Sequence, residues 1–216
     1  MLKMLVLYRR LLLGALGAMA VYVAIVVAGV WLTDLSLFET YVFATPLVSM
    51  ALPAMFGGGT MTNLALGFGA PRRICFWGWQ LAALLISVLC LAMTWLTFTL
   101  ADGKMVERES ITWDWGSMAL LFAGCVFALQ GSILSHTMEK GWRRSLTLTA
   151  AWILSFAFLM VVQVSFLLDD EPLFDVLRPV GIANPVWLAA GGGFLAAALV
   201  LGVIARIRFA KLVVSL

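Results

Sequence analysis

Between Leu11 and Leu32 the chain carries no charged side chain, and a run of that length is what an α-helix needs to cross a hydrocarbon core of roughly 30 Å. Five more apolar runs follow, Tyr41–Leu66, Ile74–Ala101, Gly116–Thr137, Ser145–Leu168 and Pro185–Ala205. Lipid offers no hydrogen-bond partner to an open backbone, so each run is expected to be helical. The fold class that follows is an all-α polytopic membrane protein of six transmembrane helices, with residues 1–216 as a single transmembrane domain. Only 12% of residues are charged, against about a quarter in soluble domains. The connections leave no room for a soluble domain, so any ATP hydrolysis has to come from a partner chain.

Charge sorts the connections by side. With both termini cytoplasmic, the inner side collects Lys3, Arg9, Arg10, Arg72, Arg73, Lys140, Arg143, Arg144, Arg206, Arg208 and Lys211, eleven of the 14 basic residues. Lys104, Arg108 and Arg178 remain outside, while Glu139 is the one acid assigned to the inner side. Cytoplasmic loops are enriched in Lys and Arg, so this split sets the orientation. It also accounts for the net charge of +3 without nucleic acid as a partner. The basic start and first run resemble a signal peptide, but the run is too long for one and no small-residue cleavage site closes it, so a retained helix is expected.

The spans contain no Asp, Glu, Lys or Arg, which argues against coupling to a proton or ion gradient, because intramembrane ionisable groups carry such coupling. Cys75, Cys90 and Cys125 form no CxxC pair and read as packing residues. His136 lies near Ser132 and Ser135, but no acid is placed to orient its ring. No metal-ligand spacing and no phosphate-binding glycine motif is present, so neither a cofactor nor an enzymatic activity is expected.

Two groups of residues remain as candidates. Pro53, Gly57, Gly58 and Gly59 make the second run the one most prone to kinking. With Asn63 and Gln163 they form the path-lining or hinge candidates, although amides in hydrocarbon also serve as bonds between helices, as Gln80 and Gln130 can. The second group is the short connection Gly67, Phe68, Gly69, Ala70, Pro71, Arg72, Arg73, leading into Ile74, Cys75, Phe76, Trp77 and Gly78.

That connection resembles a pattern in small six-helix bacterial permeases of the type 2 ATP-binding-cassette (ABC) export family, in which a glycine, small or hydroxyl residues, a basic pair and then aromatics join the second and third spans. Gly69, Arg72, Arg73, Phe76 and Gly78 match, and Pro71 stands where a hydroxyl residue is commoner. The resemblance implies a dimer with a second permease copy or a homologous permease, seated in the lipid of the inner cytoplasmic membrane and driven by separate cytoplasmic ABC ATPase subunits. Gly69, Ala70, Pro71, Arg72, Arg73 and Phe76 would then form the ATPase-coupling loop, and uncharged spans suit an apolar, amphipathic or peptide-like cargo. Two other readings stand beside it: a substrate-binding membrane subunit of a vitamin or metal uptake transporter, and a non-transport membrane scaffold.

Overall fold

The structure is a computed structural model that describes residues 2–32, 59, 62–101, 115–138, 141–167 and 185–211. Pro53, Gly57, Gly58, most of the second apolar run and the side chain of Gln163 lie outside the described residues. Among the described residues all regular structure is helical. The long helices are α1 (Leu2–Leu32), α2 (Arg72–Ala101), α3 (Trp115–His136), α4 (Trp142–Leu167) and α5 (Pro185–Ala210). Four stretches, Tyr8–Ile25, Arg72–Leu96, Met118–His136 and Pro185–Ala210, are long and apolar enough to cross a membrane.

The helices outrun their apolar runs at the charged ends. α1 starts at Leu2, well before Leu11, and α5 continues past Ala205 through Arg206 and Arg208 to Ala210. Hydropathy reports the depth of the hydrocarbon, whereas the backbone hydrogen-bond ladder continues through the headgroup layer, where long basic side chains reach water.

α3 is the centre of the bundle. It is 78% buried over Met118–His136, while the spanning part of α5 is only 17% buried. A helix apolar on every side suits a surrounded position, and small residues on α3 and its neighbours let the backbones approach. A methyl group on Gly191 would come within 3.4 Å of the Ala119 and Leu120 backbone, and one on Gly202 would meet the Gln130 amide at 3.3 Å. Both contacts advance together along the chain, so α3 and α5 run parallel. α4 runs antiparallel to α3, since Gly131 faces Ala151 and the Ser155 hydroxyl donates to the Gly124 carbonyl at 3.0 Å. α2 is also antiparallel to α3, with Gln80 opposite Gln130 and Trp79 edge-on to His136 at 5.2 Å.

These directions place Arg9, Arg10, Arg72, Arg73, Arg143, Arg144, Arg206, Arg208 and Lys211 at one end of the bundle. The basic residues among those described therefore share one end of the fold.

Candidate functional site

The connection before α2 is built by glycine chemistry at a helix end. A short helical segment, 62–67, stops where the Ala70 amide donates to the Ala65 carbonyl at 2.9 Å and the Gly69 amide donates to Leu66 at 3.0 Å. This pair of bonds is a Schellman ending, which requires a left-handed residue next after the helix. Gly69 fills that place with φ of 80°, the one positive φ among the described residues. Pro71 then starts α2, its carbonyl accepting the Ile74 amide at 2.9 Å and the Cys75 amide at 3.1 Å. Proline has no side-chain acceptor, so Pro71 gives the start of α2 no hydroxyl cap.

The turn presents some side chains and ties down others. Phe68 is 88% exposed at its tip, and Arg73 and Ile74 are exposed beside it. Phe76, in contrast, is buried, its ring packed edge-on to Phe209 and to Trp77 at 5.6 Å each. Arg72 donates from Nη1 to the Ala210 carbonyl at 3.0 Å, where a cation meets both an open carbonyl and the negative end of the α5 dipole. Of the proposed coupling residues, Gly69, Pro71 and Arg73 are thus exposed, Ala70 is half-buried, Arg72 braces α5, and Phe76 belongs to the core.

A second set of bonds fixes the turn to α1. The Tyr8 hydroxyl donates to the Cys75 carbonyl at 3.0 Å and lies 2.8 Å from the Thr62 hydroxyl. A carbonyl only accepts and a phenol has one proton, so Thr62 donates to Tyr8. The segment before the turn, the helix after it and α1 are joined at one buried point. The sequence offered no strong signal for Tyr8 beyond an aromatic next to Arg9 and Arg10, since nothing in spacing identifies a partner 54 residues away.

The path-lining and hinge candidates separate. Gly59 is buried so tightly against His136 that an added methyl would overlap the ring at 1.6 Å. Asn63 is exposed. Gln80 and Gln130 pair with each other, Gln80 donating at 3.0 Å and Gln130 returning a bond, so both amides act as a link between α2 and α3. His136 donates from Nδ1 to the Ser132 carbonyl at 3.1 Å, and the Ser135 hydroxyl donates to the same carbonyl at 2.8 Å. The Ser135 hydroxyl is thus turned to the backbone rather than to the imidazole. Among the described residues, no three His, Cys, Asp or Glu side chains gather as metal ligands.

At the opposite end, a groove of about 550 Å³ lies between α2 and α3, lined by Val88, Leu91, Ala92, Trp95, Met118, Ala119 and Phe122. None of these can transfer a proton or act as a nucleophile at neutral pH, so the groove is suited to holding apolar matter. No family model matches the chain, and neither a curated protein nor a solved structure does.

Proposed function

We propose that this chain is the permease subunit of an ATP-driven ABC exporter, spanning the membrane six times with both termini cytoplasmic and moving an apolar, amphipathic or peptide-like cargo. The six spans are the uncharged runs 11–32, 41–66, 74–101, 116–137, 145–168 and 185–205, five of them carried by α1 to α5. The basic end faces the cytoplasm because basic residues are retained on that side. Separate ATPase subunits dock on the turn at residues 67–73.

The observation that carries this reading is the construction of the turn. Its tip offers an exposed aromatic and an exposed arginine, the pair of residue types that anchors protein interfaces. Its base is tied to α1 through Tyr8 and to α5 through Arg72. A push on the tip therefore reaches three helices at once rather than being absorbed in a loose loop. The spans carry no charge through which a gradient can act, so the work has to enter mechanically.

Two measurements test it. Phe68→Cys should react with a membrane-impermeant maleimide only after cells are opened; labelling of intact cells removes both the orientation and the docking site. Phe68→Ala with Arg73→Glu should abolish ATPase association and leave membrane insertion intact. Arg72 is left unchanged in this variant because its bond to Ala210 would mix a folding effect with a docking effect.

A second reading is favoured by one observation, the apolar groove at the end away from the basic residues. As a substrate-binding membrane subunit, the chain would hold a small apolar ligand there by itself. A ligand retained through purification and lost in Ala119→Trp supports that reading over the exporter.

A further inference from the structure

The contact of Trp77 with Arg206 joins the start of α2 to the end of α5 on the outside of the bundle. The Arg206 guanidinium lies 5.8 Å from the Trp77 ring centre, and the indole is 44% exposed. Arg72 donates from Nη1 to the Ala210 carbonyl, one turn beyond Arg206, and is itself exposed; its fork carries five N–H donors in all. A guanidinium lying over an indole has its face covered and its N–H edge open, and that edge matches two oxygens of a phosphate.

Two apolar stripes start at this contact and run toward the middle of the bundle. On α2, Leu84 and Val88 follow Trp77 at spacings that keep one helical face, and on α5, Val203 and Leu199 precede Arg206 in the same way. All four aliphatic side chains are exposed, Leu199 by 72%. Arginines at headgroup level, an indole beside them and exposed aliphatic rails leading inward reproduce the layout of a phospholipid, charged at one end and apolar along its length.

We infer that Arg72, Arg206 and Trp77 bind the headgroup phosphate of an anionic phospholipid whose acyl chains lie along α2 and α5. The aliphatic rails distinguish this ligand from a free phosphate, which makes no use of them, and from an acidic protein surface, which ends at the membrane boundary. The inference rests on α2 and α5 lying in a bilayer and not on the exporter reading, so either can fail without the other.

The test uses the full chain in nanodiscs of phosphatidylcholine containing a minority of phosphatidylglycerol, followed by native mass spectrometry of the lipid that remains bound after release. Wild type should retain phosphatidylglycerol in preference to phosphatidylcholine. Arg206→Gln should lower that retention about tenfold or more, the effect of losing a hydrogen bond to a charged group. Arg208→Gln removes the same charge from the same helix but off the stripe, and should retain lipid as wild type does. If Arg206→Gln does not fold, Trp77→Leu keeps the apolar contact, removes the indole and should also lower retention. Equal losses at positions 206 and 208 would overturn the site in favour of diffuse attraction. Displacement of the lipid by glycerol phosphate at matched concentration would make it a free-anion site. Unchanged lipid retention with lost ATPase capture in Arg206→Gln would make it a protein surface.

Discussion

Replacing Gly131 with alanine probes a close approach of α3 and α4. The added methyl would lie 2.3 Å from the Ala151 Cβ, whereas carbons in contact rest about 3.5 to 4.0 Å apart. A Cβ cannot rotate out of the way, so the helices have to part by about 1.5 Å to restore contact distance. That movement would also draw Ser155 away from the Gly124 carbonyl it bonds at 3.0 Å. Two effects oppose each other: alanine is favoured over glycine in a helix by about 0.8–1.0 kcal/mol, and overpacking a tight contact costs about 1–3 kcal/mol. The clash is against backbone-fixed carbon, so its cost should fall at the upper end, for a net loss of about 1–2 kcal/mol. In a chain of this size each kcal/mol lowers Tm by about 2–4 °C, so Gly131→Ala should melt about 2–8 °C below wild type in detergent. Ala151→Gly in the same chain should recover most of that loss, because it removes the opposing methyl. A Gly131→Ala protein that melts at or above the wild-type temperature, or one that Ala151→Gly does not rescue, would show that these residues do not face each other.

Three further outcomes follow from the bonds described. Gln80→Leu strands the Gln130 amide among apolar groups and should cost about 1–3 kcal/mol, while adding Gln130→Leu should recover most of it, with a coupling of about 0.6–1.7 kcal/mol in a double-mutant cycle. Tyr8→Phe removes the donor to the Cys75 carbonyl and the acceptor for Thr62, and should lower stability by about 1–3 kcal/mol in thermal unfolding; an unchanged Tm would mean that α1 is held elsewhere. Gly69→Ala meets no neighbour within 4 Å, so its loss should be the left-handed penalty alone, about 1–2 kcal/mol, and a larger drop would show that the turn is held by more than its backbone.

The sequence was informative where the signal is one-dimensional. Long uncharged runs gave the helices α2, α3 and α5 to within a few residues, because burial in lipid imposes apolarity residue by residue. Gly69 before a basic pair marked the turn, since a left-handed backbone is written directly as glycine. Depth in the fold was not legible: α3 and α5 are alike in composition, yet one is surrounded and the other largely exposed. Which amide meets which, or that Tyr8 closes on Cys75, depends on helix rotation, and helices apolar on all sides provide no periodicity from which to read it. For the same reason Arg72 and Arg73 looked equivalent, although one braces α5 and the other faces outward.

The parallel pairing of α3 with α5 has a consequence for biosynthesis. α3 leaves the ribosome well before its most extensive neighbour, and at about 5–20 residues per second the wait for α5 to follow lasts about 4 to 15 seconds. Through that interval the flank of α3 that Gly191 and Gly202 come to cover lacks its α5 neighbour, while Gln130 is already within reach of Gln80 on α2. A nascent chain interrupted before Pro185 would leave that flank open permanently, with lipid tails against Ala119 and Leu120 in place of Gly191.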